Sequence, residues 1–439
     1  MRLKRLGSLG LLTLAAFAGG ALFGRASLAT SRDESPYAIL ERLGRVLLLV
    51  ENAYVEPVDR ERALEGAIKG MVAELDPHSS YMSKEEYADF RSDTSGELSG
   101  IGIEVDLRDE SVTVLAPIEG SPAAKAGLLP GDRIVAIDGQ STRKVPVDEL
   151  VRRMRGKPGT RVVLSIRREG LETTLTVPIV REKFHVASVA GKWLDGNVVY
   201  LRIKQFQRGT HEELLRQIGD LRKGSSPVEG LVLDLRNNPG GLVEEAVGVA
   251  DELLASGGIY TTRHRGEVVD EVWARPGGAL IAPRVVVLVN EYTASAAELI
   301  AGALQDARRA TVVGARTFGK GSVQTVLDLP GGAGMKLTTM RYYTPSGASI
   351  QAKGIVPDLV VELAKGGEEK APTVREQDLR GHLSPEDARD AERSARVVQA
   401  SKPSKSSILP PIAEIPNDPS EADDPVLALG YRLLRKPSR

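Results

Sequence analysis

Cysteine is absent from the 439-residue chain. That excludes disulfides, thiolate metal sites and a cysteine nucleophile. It says nothing of compartment, since a cysteine-free protein folds in reducing or oxidising surroundings alike. An excess of one charge is also missing. The 58 basic and 59 acidic side chains leave a net charge of −1, so no bulk field favours nucleic acid or an anionic membrane. The histidines are His78, His185, His211, His264 and His382. None sits in zinc-ligand spacing, and nothing in their placement points to a Ser-His-Asp arrangement. No internal repeat stands out. What remains is an ordinary soluble balance, 41% hydrophobic and 27% charged, in a chain long enough for two to three domains.

The N-terminus is the first positive signal. Arg2, Lys4 and Arg5 precede an apolar run from Leu9 to Phe23, the layout of an export signal. Ser27 and Ala29 suit cleavage after Ala29, while Leu6 to Phe23 nearly reaches the length of a span. Residues 1–29 therefore read as a signal peptide or a retained membrane anchor. In both cases the body of the protein is expected outside the cytoplasm, periplasmic or anchored facing outward.

Further along, composition and periodicity divide the chain. Residues 36–95 open with helical spacing (Leu40, Leu43, Val46, Leu47, Val50, then Leu64, Ile68, Met71, Val72) that Asp76-Pro77-His78 brings to a stop. Residues 97–183 hold short β-rich runs at 102–107, 112–116, 133–137, 161–167 and 171–177, with helices expected at Val147–Met154 and Pro122–Ala126. Residues 184–362 alternate apolar strands, such as 230–235 and 285–289, with helices, which indicates an α/β layer around a buried sheet. Residues 363–439 form a charged extension with a Pro/Ser-rich linker, and Val426–Leu434 is expected as a short helix that docks back.

Chemistry concentrates in the α/β stretch. Ser295-Ala-Ala-Glu298 is a capping box leading into an apolar helical face. A helix N-terminus is also a place where backbone N–H groups stabilise an oxyanion, so Ser295 reads as a cap, a nucleophile or both. Lys320 sits in Gly319-Lys-Gly-Ser-Val-Gln. The surrounding Gly314-Ala-Arg-Thr-Phe-Gly-Lys-Gly nearly fits a phosphate-binding loop, but Gly321 replaces the magnesium-binding Ser/Thr and a strand pattern follows instead of a helix. Two readings stand beside that one, a solvated surface lysine and a desolvated base. A lysine base must lose its proton near neutral pH, which burial among apolar groups promotes. Gln324 offers it an uncharged partner that orients the amine without restoring its charge. Arg236-Asn-Asn-Pro-Gly240-Gly241 reads as a β–α turn or as a donor loop, in which the Gly240 or Gly241 amide joins that of Ala296 in an oxyanion hole. Such chemistry requires no metal and no cofactor.

Together these motifs resemble the carboxy-terminal processing proteases, also called tail-specific proteases. The resemblance runs from Leu75-Asp-Pro-His-Ser through Gly96-Glu-Leu-Ser-Gly-Ile-Gly-Ile-Glu, Leu233-Asp-Leu-Arg-Asn-Asn-Pro-Gly-Gly-Leu, Thr293-Ala-Ser-Ala-Ala-Glu, Gly319-Lys-Gly-Ser-Val-Gln and Tyr342-Tyr-Thr-Pro-Ser-Gly to Gly354-Ile-Val-Pro-Asp358. Arg375-Glu-Gln-Asp-Leu-Arg-Gly-His-Leu also looks familial, without an evident catalytic role. The resemblance implies Ser295 as nucleophile, Lys320 as general base and Gln324 as the residue that positions the lysine. It implies a crotonase-like α/β protease core with an inserted PDZ domain at 97–183 and N-terminal helices. The Ser99-Gly100-Ile101-Gly102 turn would be the loop that binds a peptide carboxylate. The expected function is an exported serine endopeptidase that captures protein or peptide substrates by exposed C-termini and cleaves through an acyl-enzyme. An activator or adaptor protein and a homo-oligomer are expected partners, and nucleic acid is not. The rival expectation is a non-catalytic PDZ scaffold on a protease-like core.

Overall fold

The computed structural model describes residues 36–95, 97–108, 111–118, 120–223, 227–362, 373–385, 396–399 and 409–435. The export segment and the first part of the Pro/Ser-rich linker lie outside the described residues. Among the described residues no helix is long and apolar enough to cross a membrane. The chain divides after Gly70 into two units. Helix α1 (Pro36–Ala53) belongs to the first, and α2 (Arg60–Ala73) spans the division. Asp59 starts α2 by accepting from the Arg62 N–H at 3.1 Å.

The second unit continues with strand β1 (Ser80–Met82) and helix α3 (Lys84–Ser95). The periodicity reading missed α3, whose face is weakly apolar, yet Ser83-x-x-Glu86 announces it. The Ser83 N–H donates to Glu86 Oε2 at 2.7 Å and the Glu86 N–H to Ser83 Oγ at 3.3 Å, a reciprocal capping box.

A two-stranded ribbon follows, β2 (Glu97–Gly100) antiparallel to β9 (Glu182–His185). Between its strands sits an antiparallel sheet in the order β3 (Ile103–Arg108), β4 (Ser111–Pro117), β5 (Arg133–Ile137), β7 (Arg161–Arg167), β8 (Leu175–Val180), with β6 (Gln140–Ser141) paired to β5. Two helices cover it, α4 (Pro122–Lys125) and α5 (Val147–Met154). Alternate residues such as Val162, Leu164 and Ile166 point inward against Leu150 and Met154 of α5. The last strand starts at Leu175, not at the expected Leu171. Gly170 adopts φ 84° and the Leu171 N–H closes a turn onto the Arg168 carbonyl at 3.1 Å, which moves Leu171 out of the sheet.

The larger sheet runs β10 (Val189–Leu194), β11 (Val198–Ile203), β12 (Gly230–Asp234), β15 (Arg284–Val289), β16 (Ala310–Gly314), β19 (Leu359–Glu362), β20 (Arg396–Gln399). It is parallel from β11 to β20. One face packs on α6 (Thr210–Arg222), α7 (Val243–Leu253) and α8 (Ala296–Asp306) through residues such as Leu214, Val249 and Ile300. The other face buries Tyr200, Val286 and Leu288 against Leu427, Tyr431 and Leu434 of α9 (Pro425–Leu434). That terminal helix docks back as its apolar spacing suggested. In the remaining sheet β18 (Gly334–Tyr343) pairs with β17 (Ser322–Asp328), with β1, and with β13 (Gly258–His264), which also pairs with β14 (Glu267–Trp273).

Candidate active site

Parallel strands gather their C-terminal loops at one edge of the sheet, where α/β folds place their sites. Three such loops are stitched together here. After β12, Leu235–Leu242 leads into α7; after β15, Asn290–Ser295 leads into α8; after β16, Ala315–Gly321 leads into β17. Asn237 and Asn290 exchange hydrogen bonds at 2.9 and 2.6 Å. Thr293 Oγ1 donates to the Leu235 carbonyl at 2.8 Å and the Ala294 N–H to that of Asn238 at 2.9 Å. The third loop joins through the Phe318 N–H, which donates to the Thr293 carbonyl at 3.0 Å.

Ser295 stands at the N-terminus of α8, nearly buried, with φ 54° and ψ −121°. An ordinary N-cap has extended backbone, so a non-glycine residue at positive φ marks local strain, which concentrates at functional positions. Glu298, one turn on, is fully buried and bonds to this residue. Its Oε2 accepts from the Ser295 N–H at 2.8 Å and from the Lys320 N–H at 2.9 Å. Its Oε1 accepts from the Gly319 N–H at 2.8 Å and from the Thr317 hydroxyl. One oxygen therefore holds the backbone of both Ser295 and Lys320, and the two nitrogens lie no more than about 6 Å apart. The capping box visible in the sequence thus also ties the helix start to the lysine loop. Burial pushes the Glu298 carboxyl up to about 7, against the pull of the Thr317, Gly319, Ser295 and Lys320 donors.

Lys320 is largely desolvated. Burial, and then the charge of Lys336, hold its amine below the ordinary lysine range, while Glu376, Glu298 and Asp76 oppose them. Gln324 on β17 donates its Nε2 to Ser322 Oγ at 2.8 Å and to Thr338 Oγ1 at 3.2 Å. Both bonds come from nitrogen, so the side-chain oxygen is the end that fits an amine.

The glycine loop is built by close approach. A Cβ on Gly240 would lie 2.8 Å from the Ala294 carbonyl oxygen and from Ser295 Cβ; one on Gly241 would lie 2.0 Å from the Phe206 carbonyl oxygen. Both residues have positive φ, 98° and 131°. Their amides differ. The Gly240 N–H is taken by Asn238 Oδ1 at 2.8 Å, whereas among the described residues neither the Gly241 nor the Ala296 N–H has an acceptor. Of the two glycines considered from sequence, Gly241 is the one with a donor to give.

The turn of the smaller sheet that was expected to bind a carboxylate is shorter than the sequence suggested. Ser99 and Gly100 end strand β2, paired with Lys183 and Glu182, and the Ser99 hydroxyl donates to the Gly156 carbonyl at 2.6 Å. The turn begins at Ile101. Among the described residues the Ile101 and Gly102 N–H groups have no acceptor. The Gly102 carbonyl accepts from Ser121 Oγ at 2.9 Å. Strand β3, an edge of its sheet, continues from this loop. No group of three or more metal-ligating side chains gathers among the described residues.

Comparison with known proteins adds independent findings. Residues 197–361 match the model of peptidase family S41, 113–168 a PDZ domain, and 24–86 the N-terminal domain of the activating protease CtpB. A carboxy-terminal-processing protease of Bartonella bacilliformis is 41% identical over 414 residues, covering 93% of this chain and 91% of the relative. A carboxyl-terminal-processing protease of Synechocystis is 38% identical over 323 residues, covering 72% and 75%. Among solved structures, a photosystem II D1 C-terminal processing protease is similar at 33% identity and a TM-score of 0.47, covering 73% of this chain and 86% of that one.

Proposed function

Because the chain belongs to peptidase family S41, as a carboxy-terminal-processing protease with a PDZ domain, we propose that it is an exported serine endopeptidase working through a Ser295–Lys320 dyad. Lys320 takes the Ser295 proton, and Ser295 attacks the scissile carbonyl. The Gly241 and Ala296 amides hold the oxyanion, and water later releases the acyl-enzyme. Gln324 receives a lysine N–H at its free oxygen and so aims the amine. The PDZ domain takes the substrate C-terminus at the Ile101 and Gly102 amides while the peptide adds a strand to β3. Export and anchoring rest on the sequence of residues 1–29, and self-association and an activating partner complete the same reading.

The observation that carries the dyad is the single Glu298 oxygen shared by the Ser295 and Lys320 amides. A disordered protein substrate tests it with wild type, Ser295→Ala and Lys320→Ala. Loss of cleavage in both variants is expected, and equal cleavage by all three would sink the dyad.

A further inference from the structure

Two motifs that the dyad leaves without a task meet behind the Lys320 loop. They are Asp76-Pro-His78-Ser79 and Arg375-Glu376-Gln-Asp378, with 298 positions between His78 and Glu376. Glu376 lies in a single 3-10 turn, Glu376–Asp378, and is fully buried. Its Oε2 is 2.7 Å from His78 Nε2, and its Oε1 accepts from Gln351 Nε2 at 2.8 Å. Gln351, also fully buried, turns its oxygen to the Gly321 N–H at 3.0 Å. The backbone of the same segment adds more ties. The Glu376 N–H donates to the Phe318 carbonyl at 3.2 Å, and Arg375 Nη2 to that of Thr317 at 3.3 Å. Residues on both sides of Lys320 are thus held by one short turn.

The His78 end is equally fixed. Asp76 Oδ1 accepts from the His78 and Ser79 N–H groups at 2.8 and 2.9 Å, and Asp76 Oδ2 from Ser79 Oγ at 2.7 Å. Ser79 Oγ in turn accepts from the Thr338 N–H at 3.0 Å, and Thr338 Oγ1 is the acceptor of Gln324. One arm of this network reaches Gly321 and the other reaches Gln324. A buried carboxylate–imidazole pair is a poor source of stability, since desolvation cancels much of its attraction. A role in fixing one loop geometry accounts for it better.

We propose that Glu376, held by His78, is a positioning residue for Lys320 that locks the Thr317–Gly321 loop through Gln351. The inference rests on Lys320 being the base. The charged groups facing the lysine are Lys336 on β18, Glu376 in the 3-10 turn, Glu298 on α8 and Asp76 before β1. Glu376 is faced by His78 and Gln351. Because Glu376 favours the protonated lysine, removing its charge while keeping its shape moves the Lys320 titration to lower pH.

Glu376→Gln makes that change, retaining an oxygen for Gln351; Glu376→Ala removes the lock altogether. In full-length protein with 13C-labelled lysine side chains, the Lys320 resonance of Glu376→Gln is expected to titrate at lower pH than in wild type. The acid limb of kcat/KM should move the same way. Glu376→Ala is expected to lose kcat by up to about 100-fold with KM little changed, the scale of a slight misplacement of a reacting group. An unchanged Lys320 titration in a folded Glu376→Ala variant, which loses both the charge and the lock, overturns the proposal, whether or not the protein cleaves anything. So does wild-type kcat in Glu376→Ala. Failure of the dyad itself would show separately, as full activity in Lys320→Ala.

Discussion

The two loops proposed to handle peptide are built on opposite principles. Around Ser295 and Lys320 the polar groups are driven inward, with Glu298 and Glu376 fully buried and every loop bonded to the next. Around Ile101 and Gly102 a hydroxyl, Ser121 Oγ, and two backbone amides do the holding. The Ser121 hydroxyl and the Ile118 N–H donate to the Gly102 carbonyl at 2.9 and 3.0 Å, and the Ala123 N–H donates to that of Ile101 at 2.8 Å. The difference suits the tasks proposed for the two loops. Deprotonating a lysine needs desolvation and a fixed set of neighbouring charges. Receiving a carboxylate needs unpaired N–H groups at a place a peptide can enter.

The comparison breaks most readily at the lysine. Arginine keeps the positive charge and much of the length of Lys320 but cannot act as a base. Lys320→Arg and Ser295→Ala are each expected to lower kcat by about 10^4-fold or more, as removal of one member of a catalytic unit does. Steady-state cleavage of a disordered substrate measures it. An arginine variant with near wild-type kcat would mean that the buried charge, and not the base, is what the loop needs.

Glu298 gives the next largest effect. Glu298→Ala frees the Ser295 and Lys320 amides from their common oxygen, and kcat should fall by about 100-fold. The same residue has a signature in stability. A carboxyl raised from its ordinary 4.5 to about 7 binds more protons in the folded than in the unfolded chain between those values. Its contribution to stability is therefore full below about pH 4.5 and is lost as pH rises through about 7. Denaturant midpoints measured near each end of that window should fall with pH more in wild type than in Glu298→Ala. Parallel profiles would show that Glu298 is ionised in both states.

In the PDZ loop the expected change is smaller and of another kind. Gly102 has φ 76°, and a Cβ there would lie 2.3 Å from Ser121 Cβ. Gly102→Ala should raise KM by about 10-fold for a substrate with a free C-terminus and leave kcat alone, the pattern of lost uniform binding. Amidating the substrate tail should do the same to wild type and little more to the variant. A fall in kcat instead would tie the two loops together and end the contrast.

How much of this was legible in the sequence follows the range of the interactions. Capping boxes, apolar periodicity and turn residues are local, so the alternation of strands and helices, the docking of α9 and the setting of Ser295 could be read directly. Helix α3 could have been, from Ser83-x-x-Glu86. Three features could not. The pairing of Ser99 and Gly100 with β9 joins residues more than eighty positions apart. The engagement of the Gly240 amide depends on which way the Asn238 side chain turns. The Glu376–His78 contact joins residues 298 positions apart. Their motifs were visible, but only the fold supplies what each one touches. The export segment lies outside the described residues and stays a reading of the sequence.

The smallest effect concerns charges that serve neither loop directly. Arg236 opens the glycine loop and is buried against Asp234, with bonds at 2.9 and 2.7 Å, and against Asp424, just before α9, at 2.9 Å. Against its own complete burial, Asp234 is held below the usual carboxylate range by Arg236. Asp424 also caps α9 by accepting from the Leu427 N–H at 3.0 Å, a role asparagine fills equally well. Asp424→Asn therefore removes one charge from a buried guanidinium that keeps its other partner, and should cost about 1–2 kcal/mol in denaturant unfolding. In the PDZ domain Lys125 and Glu182 form a 2.7 Å pair with side chains 61% and 47% exposed. Lys125→Ala should cost no more than roughly 0.5 kcal/mol, because water and salt screen such a pair. Both variants should cleave at the wild-type rate. Equal costs would mean that the core charges are as well solvated as those of the PDZ surface, and that burial does not distinguish the two regions after all.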